Sequence, residues 1–151
     1  MARVQLALRV GDLEGSIDFY SKLFGTEPAK LRPGYANFAI AEPALKLVLL
    51  EGEPGQATVL DHLGVEVGST DEVSAASERL TGEGLATLTE DDTTCCYAVQ
   101  DKVWVHGPGR EPWEVYTVKA DSPTYGTDSA ATPATCCTSD DEAARPAGCC
   151  S

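Results

Sequence analysis

The sequence repeats itself, and that repeat limits the possible folds more than any other feature. Sliding the chain along itself by 57 positions lays Gln5-Leu6-Ala7-Leu8-Arg9-Val10-Gly11 on His62-Leu63-Gly64-Val65-Glu66-Val67-Gly68. Self-similarity of this kind means one supersecondary unit used twice. The match continues beyond the apolar alternation: Asp12 falls on Ser69, both N-cap residues, and Gly25 falls on Gly82, both candidate helix stops. Between them Leu13, Ile17, Tyr20 and Phe24 keep helical spacing in the first copy. In the second, Val73, Ala76 and Leu80 follow a Ser69 to Glu72 capping box. Short strands should follow each helix: Tyr35 to Ala41, Leu45 to Glu51 and a piece near Ala57, then Ala86 to Thr89, Tyr97 to Val105 and Pro112 to Val118. Turns come from Arg32-Pro33-Gly34 and His106-Gly107-Pro108-Gly109. The expected fold is α+β: two βαβββ modules, about 1–58 and 59–118, whose sheets lie side by side around a cup with the helices outside.

At 151 residues and 42% hydrophobic the chain can bury one sizeable core. Its net charge of -13, from 24 acidic against 11 basic residues, repels nucleic-acid phosphates and anionic lipid, so neither is an expected partner. Arg3 and Arg9 surround an apolar stretch too short for an export signal, and no run is long enough to span a bilayer, so a cytoplasmic location is expected. From Lys119 to Ser151 there is no Leu, Ile, Val, Phe, Met or Trp. Such a segment cannot bury enough apolar surface to offset its ordering entropy, and 119–151 reads as a flexible tail. Six cysteines form three adjacent doublets: Cys95 with Cys96, Cys136 with Cys137, and Cys149 with Cys150. Doublets staple no distant segments and suit paired soft ligands in a reducing cytosol better than a disulfide framework. Small apolar filler is a role for an isolated buried cysteine rather than for doublets in polar surroundings.

Strand parity shows which side chains meet in the cup. Leu6, Leu8 and Val10 share one face and should pack on a helix, leaving Gln5, Ala7 and Arg9 on the other. Leu63, Val65 and Val67 do the same in the second copy, which puts His62 on the cup face at the place equivalent to Gln5. Glu114 can reach the cup from the last strand. An amide oxygen, an imidazole and a carboxylate make a mostly hard three-point site that leaves positions open on Fe(II), Mn(II) or Ni(II). Alone, His62 would read as a satisfied core histidine and Glu114 as a solvated acid; the repeat equivalence of Gln5 and His62 joins them into a set. Aligning Pro43-Ala44-Leu45 with Pro112-Trp113-Glu114 places Leu45 where a fourth ligand could have come from, and its side chain cannot bind a metal. His106 lies in a Gly- and Pro-rich turn and reads as a surface residue.

A duplicated βαβββ unit with candidate ligands on the first strand of each copy and on the last strand resembles the vicinal oxygen chelate superfamily over residues 2–118. That superfamily includes glyoxalases, extradiol dioxygenases, thiol transferases and metal-free antibiotic-binding proteins. Four segments are similar to the organoarsenical carbon-arsenic lyases, also described as cadmium-induced proteins. They are Val-Gln-Leu-Ala-Leu-Arg-Val, Leu-Asp-His-Leu-Gly-Val-Glu-Val, Thr-Thr-Cys-Cys-Tyr-Ala-Val-Gln-Asp-Lys-Val-Trp-Val and Pro-Trp-Glu-Val-Tyr. The Cys-Cys-Tyr-Ala-Val-Gln-Asp-Lys stretch discriminates most. The resemblance implies a non-haem Fe(II) dioxygenase, with O2 as co-substrate, that cleaves the carbon-arsenic bond of methylarsenite or trivalent aromatic arsenicals and releases arsenite. It implies Gln5, His62 and Glu114 as metal and catalytic ligands, open also to Ni, Co or Mn, and Cys95 and Cys96 as the substrate thiolates.

Elementary arsenic chemistry agrees with the cysteine assignment. A monosubstituted trivalent arsenical carries one carbon and two exchangeable oxygens, so two thiolates saturate it and leave the carbon in place, whereas inorganic arsenite prefers a third sulfur. Successive side chains on a regular strand point to opposite faces, so both sulfurs reach one arsenic only if Thr93 to Cys96 is a loop or a strand end. The polar run Thr89 to Thr94 suits a loop that moves, capturing arsenic at the surface and carrying it to the metal. Two rivals remain: a glyoxalase-type isomerase, which wants four protein ligands and has no need of the cysteines, and a non-catalytic protein that sequesters arsenicals or cadmium. The tail doublets could gather arsenical, store soft metal or be incidental. Monomer and homodimer are equally open, and Tyr97, Lys102 and Tyr116 are unranked as supporting residues.

Overall fold

The computed structural model describes residues 2–126, so Cys136, Cys137, Cys149 and Cys150 and most of the expected tail lie outside the described residues. The first module is β1 (Arg3–Val10), α1 (Leu13–Phe24), β2 (Lys30–Arg32), β3 (Tyr35–Ile40) and β4 (Leu45–Glu51). The second is β5 (Val59–Glu66), α2 (Thr70–Gly82), β6 (Leu88–Cys95), β7 (Ala98–His106) and β8 (Pro112–Asp121). All eight strands form one sheet in the order β2-β3-β4-β1-β5-β8-β7-β6. Within each module the first strand pairs in parallel with the last, and the modules join where β1 runs antiparallel to β5.

The helices form where the caps demanded. Asp12 accepts from Gly15 N at the start of α1, and Gly25 closes it at φ 64 in the left-handed region that favours glycine. In α2 the Ser69 side chain accepts from Glu72 N while the Glu72 carboxylate accepts from Gly68 N. Gly84, at φ 83, makes the left-handed turn after α2, whereas the expected stop Gly82 is still helical. Leu13, Ile17, Tyr20 and Phe24 pack on Val10, Phe38, Leu47 and Leu49, and Leu6 and Leu8 join them, as strand alternation requires. The other sheet face gathers Ala7, Tyr35, Val48, Leu50 and Tyr97 inside the cup.

Several expectations are corrected. No strand forms near Ala57; the additional strand of the first module is β2, three residues of edge too short and too charged to show a period. Thr89 to Thr94 is not a loop but the body of β6, paired with β7 on either side of an irregularity between Glu90 and Thr93. Polar side chains do not prevent a strand whose hydrogen bonds are made by the backbone. For the same reason β8 passes the expected end at Val118: Ala120 pairs with Val99 and Asp121 with Ala98. Lys119 bonds Asp92 and Asp101, and Ser122 is buried. Leu45 packs toward α1, so the cup-facing residue beside Gln5 is Lys46. Register also shows that Ala7 faces Val48 as Gly64 faces Glu114. The first-module equivalent of Glu114 is therefore Val48, not Leu45, and it too is incapable of ligation.

Candidate metal centre and thiol site

Gln5 reaches the cup from β1, His62 from β5 and Glu114 from β8, all three buried. Gln5 Nε2 stands 3.0 Å from His62 Nε2 and 2.7 Å from Glu114 Oε1, and His62 Nε2 stands 3.4 Å from the same Glu114 oxygen. Donors placed at right angles about an ion roughly 2.1 Å away lie about 3 Å apart, so this triangle has the dimensions of one face of an octahedron. Among the described residues no three His, Cys, Asp or Glu side chains could hold an ion; the trio here is completed by an amide. Ligation would use the amide oxygen, which now accepts from the Tyr116 hydroxyl. A hydroxyl both donates and accepts, so Tyr116 can support the amide in either orientation. The donor set thus fits a divalent metal with open positions.

Each candidate ligand is held by a second group. His62 Nδ1 lies 2.7 Å from Asp61 Oδ2, and Asp61 in turn accepts from Arg9 at 2.8 Å. That arrangement fixes the ring and its tautomer. Asp61 can reach back because β5 carries an irregularity at this point, where Ala7 pairs with His62 but Leu8 pairs with Leu60. Lys102, fully buried, donates to Glu114 Oε2 at 2.8 Å, and its ammonium lies over the Trp104 ring. Trp104 meets the His62 ring edge to face. Burial alone would lower the His62 pKa, but hydrogen bonds to Asp61 and Glu114 outweigh it and push the value up to about 10. Burial would raise Glu114, yet His62 and Lys102 hold it down at about 2. Asp61 and Gly64 were not singled out from sequence; Lys102 was named without a rank, and Arg9 was placed on the cup face without a role.

Cys95 and Cys96 lie where β6 turns into β7. Cys96 and Tyr97 have φ 54 and 61, and Cys95 pairs with Ala98 across them. This is the geometry of a two-residue hairpin turn in which Asn-Gly is the usual occupant. It brings the two sulfurs to 3.1 Å, so the strand end that the chemistry required is present. The Cys95 contact lowers the Cys96 thiol, against burial and with help from the His62 charge. Both cysteines line a cavity of about 200 Å³ together with Gln5, His62 and Glu114. All five expected site residues therefore share one chamber. His106 ends β7 and is exposed, as read from the sequence.

A cup of two βαβββ modules with donors at matching places defines a protein class, and the chain belongs to it: the Glyoxalase/Bleomycin resistance protein/Dioxygenase superfamily, whose profile matches residues 3–115. Within that superfamily the chain is 67% identical over 138 residues to the trivalent organoarsenical cleaving enzyme of Thermomonospora curvata, covering 91% of this chain and 89% of that one. It is 66% identical over 127 residues to the cadmium-induced protein CadI of Mycobacterium tuberculosis, covering 84% of this chain and 83% of the other. Among solved structures, an extradiol ring-cleaving dioxygenase from B. fuscum superposes with a TM-score of 0.59 at 21% identity. The match spans 79% of this chain and 33% of that one, and it shows the shared fold.

Proposed function

We propose that this chain is a cytoplasmic, non-haem Fe(II)-dependent dioxygenase that cleaves the carbon-arsenic bond of trivalent organoarsenicals, methylarsenite or trivalent aromatic arsenicals, and releases arsenite. One observation carries the reading: two sulfurs 3.1 Å apart open into the same chamber as the Gln5, His62 and Glu114 donors. The name borne by the Thermomonospora curvata relative supports it.

Capture falls to the thiols. Methylarsenite carries two hydroxyls on arsenic; Cys95 and Cys96 each displace one as water, forming two arsenic-sulfur bonds and leaving the methyl group in place. Bound Fe(II) supplies activation of dioxygen. Asp61 holds His62 in the tautomer that offers Nε2, and Lys102 occupies the Glu114 oxygen not aimed at the other donors. Tyr116 orients Gln5. Tyr35 and Val48 line the chamber and limit the water around the bound arsenical. Once the carbon has left as an oxidised fragment, arsenic carries one oxygen in its place beside the two sulfurs. With no third sulfur in the pair to hold it, two waters displace the thiols, which regain their protons, and arsenite is released.

The test is arsenic speciation after aerobic incubation of the Fe(II)-loaded protein with methylarsenite, beside an anaerobic sample and a Cys95→Ser sample. Arsenite that appears only with oxygen, and that Cys95→Ser fails to produce, is the expected result. Methylarsenite bound but unconverted would instead mark a sequestering protein. His62→Ala and Glu114→Ala should abolish turnover. Cys95→Ser and Cys96→Ser should chiefly lose substrate affinity, read by calorimetry.

A further inference from the structure

The chamber holds a cation that the reaction above does not use. Lys46 sits on β4 beside Gln5 and shares the cup face with Val48 and Leu50, both apolar and buried. It is 9% exposed and lines the chamber. Lys102 by contrast is matched to Glu114. Among the described residues the Lys46 ammonium makes no hydrogen bond. Its nearest charge, Glu66 Oε2, is 3.8 Å away and already accepts from Arg3 at 2.8 Å and from Tyr116 at 3.3 Å. The Tyr116 ring lies 5.0 Å below it. An ammonium has three donors, and burying them without an acceptor is unfavourable unless something in the chamber supplies one. Burial lowers the Lys46 pKa, a penalty that an anion beside it would reverse.

The volume says what kind of molecule brings that acceptor. A cavity of about 150 Å³ takes a benzene ring, and this chamber is about 200 Å³. Methylarsenite would leave most of it empty. Tyr35, Val48 and Ala98 are among its walls, with both thiols and Lys46. At a net charge of -13 the chain repels free anions, so a negative group enters best when arsenic binding by the thiols brings it in.

We infer that Lys46 sets substrate preference: its ammonium receives an anionic oxygen group, a carboxylate above all, carried on the ring of an aromatic arsenical whose arsenic is held by Cys95 and Cys96. This rests on the thiol-capture reading above. The experiment measures calorimetric affinities of the reduced, full-length chain with Cys136, Cys137, Cys149 and Cys150 changed to Ser, so that Cys95 and Cys96 alone report. The two probes are 4-carboxyphenylarsenite and phenylarsenite. The carboxylated probe is expected to bind about tenfold tighter or more, the scale of one charge-assisted hydrogen bond. In Lys46→Met and Lys46→Gln that ratio should fall to about one, while Lys46→Arg should keep most of it; melting curves confirm that each variant is folded. Equal affinities in the parent protein, or a preference that survives Lys46→Met, overturn the assignment and leave thiol capture standing. Failure of both probes to bind the parent protein overturns thiol capture and this inference together.

Discussion

Gly64 has no side chain because two candidate ligands occupy the space beside it. A Cβ there would come within 3.2 Å of Glu114 Cγ and 3.3 Å of Gln5 Cβ, on the backbone pairings that set those residues side by side. Gly64→Ala should therefore spread the donor triangle and weaken metal binding by about tenfold or more, with little change in melting temperature, read by Co(II) absorption titration. Charge makes a second prediction, for metal-free protein. His62 is held up at about 10 against an ordinary 6.5, so its contribution to stability is complete below 6.5 and is lost as pH rises through about 10. Glu114 is held down at about 2 against an ordinary 4.5, so its contribution is complete above 4.5 and is lost as pH falls through about 2. Melting temperature against pH should form a plateau between those limits, and His62→Gln should flatten the alkaline fall. Gln5 and His62 were legible because the repeat makes them equivalent, and Cys95 and Cys96 because adjacent thiols are rare in a polar run. Asp61 was not, since parity cannot anticipate the irregularity that turns it toward His62. Lys102 could be named but not ranked, and Lys46 was hidden: a lysine in a strand reads as a solvated charge, and only the closed cup shows these two buried.

At the level of elements, the helices were the most legible parts because their caps are local chemistry. Ser69→Ala should cost about 1 kcal/mol, measured by urea unfolding, because it removes the oxygen that caps α2. β6 was hidden by its own composition, since Thr89 to Thr94 offers no apolar alternation and its pairing is made by β7. The hairpin that follows is held from several directions. Tyr97 meets Tyr35 and Tyr125 and donates to Pro33 O, and Ser122 N donates to Tyr97 O. Gly126 completes the cover by bridging to Cys95 at φ 77, where a Cβ would collide with the Thr94 carbonyl. Gly126→Ala should dislodge this cover. Alkylation of Cys96 by iodoacetamide should then speed up several-fold, and an unchanged labelling rate would show that residues 122–126 do not guard the thiols.

For the molecule as a whole, the expected boundary at Val118 was set by the disappearance of apolar residues, whereas folding continues through backbone pairing and ion pairs that composition does not register. A chain ending at Gly126 keeps every described contact of β8 and of the segment that follows it. One ending at Val118 should melt several degrees below it, because it loses the end of β8 and the cover over Tyr97. Among the described residues no helix is long and apolar enough to cross a membrane. The cup itself was legible from the duplication; the joint between its halves was not, because nothing in a repeat says which strands meet. That joint runs from Arg3 opposite Glu66 to Arg9 opposite Val59, and the donor triangle straddles it, Gln5 on one side and His62 with Glu114 on the other. An ion held there works as a clasp on a hinge. By reciprocity, whatever eases the halves apart must loosen the ion, and the ion must resist their parting by the same free energy. Neither half of the duplication can own the site, so two fragments cut between β4 and β5 would report their reunion through the ion they regain.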